Sequence, residues 1–326
     1  MSLAIFLATS FQNAILPFCN KGFRLRGIKL AEITEEQFPL EKDIQRLTEA
    51  NLQQIFEIDL VRSEFEIHGL RIDTLAFDVE SGAFVIIEYK KDRNFSVIDQ
   101  GVAYLNLMLN NKADFILEYN ERSSSLSSKT LKRDVVDWSQ SRIIFISPEF
   151  TKYQQYAIGF KDLGIQLWEV HKYSNGLIGF DEIKAIDRQE SISTITKRNP
   201  IAKKVAEEIR VYTEEDHLNE VDDNIKEVYL ELKSTVSTLG NDIEIRTKKK
   251  YVAFRRTHAF VYINFLKSKL KIHLNVEINE SDDPLKKVRD VQDMRPYSSG
   301  KTEIIIKDTS EIPSVLPLIK QAYEKS

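Results

Sequence analysis

The 326 residues include one cysteine, Cys19, with no second thiol to meet. That excludes an intramolecular disulfide framework and any cysteine-rich zinc site. The five histidines, at 68, 171, 217, 258 and 273, fall at no metal-binding spacing, so a histidine-based centre is not expected. A basic excess is missing too. Forty-six Lys and Arg stand against 50 Asp and Glu, a formal charge of −4, so a nucleic-acid surface has to be local. No run has the length and apolarity of a transmembrane span. The apolar opening, SLAIFLATSFQNAILPF, is broken by Gln12 and Asn13 and has neither a basic start nor a small-residue cleavage site. It reads as a packing strand or helix, or an irregular extension, rather than a signal peptide. These absences describe a soluble, cytoplasmic chain long enough for about two domains.

Residues 71–90 read RIDTLAFDVESGAFVIIEYK. Ser81 and Gly82 form a turn signal between two runs of branched and aromatic side chains, which predicts a β-hairpin. Side chains alternate along a strand, so Glu88 and Lys90 share one face while Val85, Ile87 and Tyr89 share the other. A carboxylate and an ammonium thus project together from the end of a strand whose remainder, Phe84 to Ile87, reads as buried. Buried charge is costly unless paired or metal-bound. Asp73 comes alongside if the hairpin register joins the strands' free ends. Two carboxylates would then converge on one hard cation with a lysine beside it. Magnesium, or manganese in its place, suits such a position, because it takes oxygen ligands, keeps several waters and is commonly held by one or two carboxylates plus a substrate phosphate. Lys90 would act as a point charge near the attacking water or the scissile phosphate.

Ile72-Asp73 followed by Glu88-Tyr89-Lys90 resembles the PD-(D/E)XK nuclease superfamily. Two flanking segments extend the likeness. Upstream, EKDIQRLTEANLQQIF at 41–56 carries a helical stripe of Ile44, Leu47, Leu52 and Ile55, with Glu41, Asp43 and Gln45 near its start. The helical glutamate that completes the site in this superfamily is best matched by Glu41, with Glu49 competing. Downstream, Ser96 and Asp99 form a capping-box-like start to the helix SVIDQGVAYLNLMLN, on which Gln100 and Tyr104 are neighbours four apart. That pair is similar to the one carried by the NucS-like endonuclease branch. Spanning roughly residues 30 to 175, the resemblance implies an α/β fold with a mixed sheet flanked by helices, of the restriction-endonuclease-like kind. It implies Glu41, Asp73, Glu88, Lys90 and Gln100 as catalytic residues and Asp73, Glu88 and Tyr89 around the metal. Arg71, Lys91, Arg93 and Tyr104 flank this set and are candidates to meet nucleic acid.

The remaining patterns divide the chain into an N-terminal extension (1–29), this nuclease-like domain (30–175), a linker (176–213) and a smaller α+β domain (214–326). Within the second segment KADFILEY (112–119) reads as strand-like, 120–134 as an exposed loop, RIIFIS as a buried strand, EFTKYQQYAIGFKDL as a helix and IQLWEVHKY as a strand. The linker ends in a charged helical run, IAKKVAEEIRVYTEEDH. The last segment opens with an amphipathic helix stopped by Gly240 and continues through DIEIR, YVAFRR, AFVYINFL, KIHLNV and TEIIIK to a helix from Ile312 to Glu324. It resembles a small domain of unknown function found attached to such nucleases. From Asn241 to Ile272 nine Lys or Arg, among them Lys248, Lys249, Lys250, Arg255 and Arg256, face only Asp242 and Glu244, a net of +7. A basic sheet face on a phosphate backbone and an ordinary solvated face are both open. The favoured function is a divalent-metal-dependent DNA endonuclease, with RNA not excluded and a homodimer a route to paired cuts. The alternative is a nucleic-acid-binding or regulatory protein that keeps a nuclease-like fold without cutting.

Overall fold

A computed structural model describes residues 22–26, 28–92, 95–123, 130–160, 162–184, 200–276, 288–291 and 300–326; Cys19, Arg93 and the apolar opening segment lie outside them. The described residues fall into two compact units that meet in the chain between Val211 and Tyr212.

In the first unit, β1 (Gly22–Arg26) and β2 (Lys29–Ile33) form a separate hairpin that straddles the boundary read at residue 29 between extension and domain. The main sheet runs β3 (Glu35–Glu36), β8 (Ile165–Tyr173), β7 (Arg142–Ser147), β6 (Ala83–Tyr89), β5 (Leu70–Asp78), β4 (Asp59–Ile67), and β9 (Ile178–Ile183) also pairs with β8. β6, β7 and β8 are parallel and the other pairings antiparallel, so the sheet is mixed. Every residue of β6 is buried, as in a strand covered on both faces. Alternation sorts the sheet's side chains. Phe84, Ile86, Ile143, Phe145, Ile165 and Leu167 pack with α3 (Val97–Asn110), α4 (Lys112–Ser123) and α6 (Pro200–Glu208). Val85, Ile87, Tyr89, Ile144, Ile146 and Trp168 pack with α1 (Glu41–Glu49) and α2 (Leu52–Phe56). Each such side chain contributes roughly 1.5–3 kcal/mol by leaving water. The fold class is therefore α/β, a mixed sheet flanked by helices.

Two glycines set the geometry that the site needs. Gly82 turns the β5–β6 hairpin at φ +67°, a conformation that costs other residues a Cβ clash. Gly101 lets α3 settle against the sheet, since a Cβ there would stand 2.2 Å from Ile165 Cδ1.

Three expectations are corrected. KADFILEY is the first part of α4, not a strand. Its inward residues follow a helical spacing, with Phe115 buried and Ile116 and Tyr119 packed on the core while Leu117 is exposed. The helix expected over EFTKYQQYAIGFKDL is only α5 (Lys152–Ala157), which starts at the Thr151 capping box and ends before Gly159. The supposed linker, 176–213, contributes β9 to the first sheet and α6 to its core through Ala202 and Val205.

The second unit carries α7 (Glu214–Leu218), α8 (Asp223–Ser237) and a six-stranded antiparallel sheet. Its order is β10 (Glu244–Thr247), β11 (Val252–Arg255), β12 (Ala259–Leu266), β13 (Lys269–Leu274), β15 (Thr302–Ile306), β14 (Arg289–Asp290). α8 and α9 (Ile312–Glu324) share one core with the sheet through Val228, Leu232, Ile263, Ile272, Ile304, Val315 and Ile319. Among the described residues no helix is long and apolar enough to cross a membrane.

Candidate active site

The hairpin register pairs Thr74 with Ile87, so the next position sets Asp73 opposite Glu88. There the ladder gives way to side chains. The Asp73 N–H donates to Glu88 Oε1 at 3.2 Å, and the Tyr89 N–H donates to Asp73 Oδ2 at 3.2 Å. Lys90 Nζ donates to Glu88 Oε2 at 3.3 Å. Asp73, Glu88 and Lys90 therefore form one group at the open end of the hairpin. At its other end the remaining β5 carboxylate, Asp78, is committed to Arg142 Nη1 at 2.9 Å and the Ser81 N–H at 2.9 Å.

Electrostatics separate this group from an ordinary ion pair. Glu88 is 2 % exposed, and burial, followed by the charge of Asp73, pushes its carboxyl up to about 7 against the pull of Lys90. Asp73 is raised as well, by burial first; the Tyr89 N–H and Lys90 oppose the rise, while Glu64 and Glu41 add to it. The site is short of positive charge, which a proton or a cation supplies. Asp73 and Glu88 on neighbouring strands fit a hard divalent ion that completes its shell with water and substrate. Among the described residues no three His, Cys, Asp or Glu side chains gather as a metal cluster. Tyr89 could add only its main-chain carbonyl, since its buried hydroxyl pairs with Thr74 Oγ1 at 3.1 Å.

The other expected residues surround this group unequally. Glu41 Oε1 accepts the Lys91 N–H at 2.8 Å, which brings the start of α1 over the end of β6. Glu49 instead accepts from Gln45 Nε2 at 3.0 Å and Thr74 Oγ1 at 2.6 Å. Tyr104, on α3, donates to the Arg71 carbonyl at 3.2 Å. Burial first, then the charges of Glu88 and Asp73, keep its proton on. One turn earlier, Gln100 Oε1 is buried with no hydrogen-bond partner among the described residues. The Arg71 side chain pairs with Glu64 at 3.0 Å, and Lys91 Nζ is tied to the Pro39 carbonyl at 2.8 Å.

Two contributors were not singled out as site residues from the sequence. Glu64 lies on β4 across from Asp73, at φ +54°, between Lys42 and Arg71. Non-glycine residues at positive φ concentrate at functional sites. Gln45 is 3 % exposed, and its amide donates to the Asp73 carbonyl at 2.8 Å, Ser63 Oγ at 3.3 Å and Glu49. No local pattern marks either residue, since both matter through strands distant in sequence. Gln45→Ala takes this donor from the buried Asp73 carbonyl, and urea unfolding is expected to show a loss of about 1–3 kcal/mol.

The five basic residues singled out in the second unit lie at two places along β11. Lys248, Lys249 and Lys250 lie in the β10–β11 turn, at one end of β11. Arg255 and Arg256 lie at its other end. Arg256 is engaged structurally, with Nε 2.6 Å from Asp242 Oδ2 and its guanidinium 4.5 Å from the Tyr323 ring centroid. Arg256→Ala is therefore expected to lower stability by about 1–2 kcal/mol, seen in thermal unfolding.

Residues 214–326 match the family described as Domain of unknown function (DUF5655). A Haemophilus influenzae protein described as uncharacterized is 44% identical over 304 residues, covering 93% of this chain and 99% of that protein. Among solved structures, a repair endonuclease from Pyrococcus abyssi superposes with a TM-score of 0.25 at 16% identity, over 42% of this chain and 49% of that one, a likeness too slight to carry fold or activity. By the extent and identity of its match to the Haemophilus influenzae protein, the chain belongs to that protein's family, with a DUF5655 match over its C-terminal unit.

Proposed function

We propose that this protein is a divalent-metal-dependent endonuclease that hydrolyses DNA phosphodiester bonds, of the PD-(D/E)XK kind. The observation that carries the reading is the facing pair Asp73 and Glu88 with Lys90 on Glu88, in a setting negative enough to push Glu88 up to about 7. When bound, magnesium or manganese supplies a Lewis acid for the phosphate and lowers the pKa of a water. Asp73 and Glu88 would hold the ion from adjacent strands, with the Tyr89 carbonyl beside them. Lys90, steadied by Glu88, neutralises charge that builds on the phosphoryl oxygens. Glu41 closes the rim over β6, and the buried Gln100 Oε1 is an acceptor for a donor on the substrate side. Tyr104 stays protonated and fixes α3 to the Arg71 backbone. Arg71 and Lys91 would contribute phosphate contacts at the edge, and Arg93 stays a candidate by its sequence position alone.

The test is cleavage of supercoiled, linear, single-stranded and branched DNA, with RNA alongside, in magnesium, manganese or EDTA, beside Glu88→Ala. Metal-dependent cutting that disappears in the variant is expected. No cutting on any substrate, or cutting that survives in the variant, overturns the reading. The second reading, a nucleic-acid-binding or regulatory protein without cleavage, draws on the direct Lys90–Glu88 pair and the lack of a three-ligand cluster among the described residues. Equal, EDTA-insensitive binding by both proteins with no cutting would select it.

A further inference from the structure

Lys42, Glu64 and Arg71 form an ion network beside the Asp73–Glu88–Lys90 group. Lys42 Nζ donates to Glu64 Oε1, and Arg71 Nε stands 3.0 Å from Glu64 Oε2, so an ammonium and a guanidinium share one carboxylate. Register fixes where the network sits. Ser63 pairs with Thr74 and Phe65 with Ile72, which sets Glu64 opposite Asp73 at roughly 5 Å between Cα atoms. Arg71 precedes Asp73 by two residues on β5, roughly 7 Å along the strand. Lys42 shares a face of α1 with Gln45, whose amide reaches Ser63 Oγ and the Asp73 carbonyl. The Arg71 backbone is held by the Tyr104 hydroxyl, whose proton is kept on by burial first and then by Glu88 and Asp73, with Arg71 pulling the other way. The network therefore lies on the β4 side of the candidate site, on regular elements tied to it through Gln45 and Tyr104.

Charge separates Glu64 from the neighbouring carboxylates. Burial first pushes Asp73 and Glu88 up, whereas the Lys42 hydrogen bond is the main cause that holds Glu64 below the usual carboxylate range. Glu64 already has its cations, and they are not used up by it. The Lys42 and Arg71 side chains are 42% and 62% exposed, and their two positive charges meet one negative charge. Glu66, the cross-strand neighbour of Arg71, is exposed and makes no ion pair with it among the described residues. A guanidinium engaged at Nε keeps its terminal nitrogens for a further oxyanion, and an ammonium with one acceptor keeps two donors. Lys90 and Lys91, in contrast, are bound to Glu88 and to the Pro39 carbonyl. A phosphodiester, with two charged oxygens on one centre, suits a fork and an ammonium gathered about one point.

We propose that Lys42 and Arg71, held on either side of Glu64, bind a DNA phosphodiester next to the one at the Asp73–Glu88–Lys90 group. The proposal rests on the nuclease reading and adds a backbone subsite to it. Binding of a short labelled DNA duplex, and of one of its strands alone, is measured by fluorescence anisotropy in EDTA over a range of salt. The parent is compared with Lys42→Gln/Arg71→Gln and with Lys42→Arg/Arg71→Lys, and circular dichroism checks that each is folded. On the tighter-bound probe the glutamine pair is expected to lose about tenfold or more in affinity, with a plot of log affinity against log salt shallower by about one to two. The charge-conserving pair should keep the parental slope. Because the glutamine pair leaves Glu64 without a cation, Lys42→Gln/Glu64→Gln/Arg71→Gln is measured beside it, and the same loss is expected. Parental affinity in this triple variant overturns the proposal, since the bare Glu64 charge would then account for the loss. So does a glutamine pair that binds and depends on salt like the parent, or a charge-conserving pair whose slope falls as far as that of the glutamine pair. Cleavage by the parent in magnesium separates the two levels. Metal-dependent cutting together with unchanged binding by the glutamine pair removes the subsite and leaves the nuclease. Weakened binding by that pair without cutting by the parent keeps the subsite and removes the nuclease, and a parent that neither binds nor cuts removes both.

Discussion

Glu88→Ala and Asp73→Ala are each expected to reduce metal-dependent cleavage by at least about a hundredfold while leaving the fold intact. The two carboxylates face each other across β5 and β6 and supply the only side-chain oxygens that the reading gives the ion. Removal of either leaves its N–H donor bare but also removes a buried negative charge, and the second effect offsets the first. Calorimetric titration with manganese should show the metal site weakened in both. Lys90→Ala separates the roles. Its Nζ contacts Glu88 at 3.3 Å from a side chain that is 20% exposed, so metal binding should persist while the rate falls by roughly 10²–10³. Carboxylate variants that cut at the parental rate would remove this site, and a Lys90 variant that cuts normally would remove the charge-stabilising role.

The second large effect is on pH. Glu88 is raised from 4.5 to about 7 in the folded chain, by burial and then by Asp73. A group whose folded pKa lies above its unfolded value contributes stability at low pH and loses it as pH rises. For Glu88 that contribution is complete below about 4.5 and lost as pH passes through about 7. In EDTA the parent should therefore become less stable across this interval. Glu88→Gln keeps an acceptor for the Asp73 N–H and cannot ionise. At pH 8 it should exceed the parent by on the order of 2 kcal/mol, with the lost Lys90 contact taking part of this back. At pH 4 the advantage should vanish. Magnesium should narrow the gap at pH 8 by restoring the parent, since metal binding displaces the proton and grows tighter as pH rises toward 7. Urea unfolding at both pH values, with and without metal, reads all of this; parallel pH curves for the two proteins would show that Glu88 titrates normally.

What the sequence alone determined lies within single elements or adjacent pairs. The Ser81-Gly82 turn, the buried run of β6, the Ser96 cap of α3 and the facing of Asp73 and Glu88 all follow from alternation over a short hairpin and from local capping. Such features are legible because they rest on caps, turns and alternation within one element or one hairpin. Five strands of the second unit, β14 excepted, and its closing helix Ile312–Glu324 were legible from local patterns as well.

The rest depended on contacts that no local pattern records. KADFILEY became helix because Phe115 finds Phe65 and Phe84 on two different strands. The stretch read as a linker joined the core because β9 pairs with β8 and Val205 is buried. Gln45 reaches Asp73 from 28 positions away, Glu64 meets it from the neighbouring strand, and Lys248, Lys249 and Lys250 lie at the opposite end of β11 from Arg255 and Arg256. The same packing sets the acidity of Glu88. Its residue type and spacing are written in the chain, but the burial and neighbouring charge that push its carboxyl up to about 7 exist only once β5, β6 and α3 have closed around it.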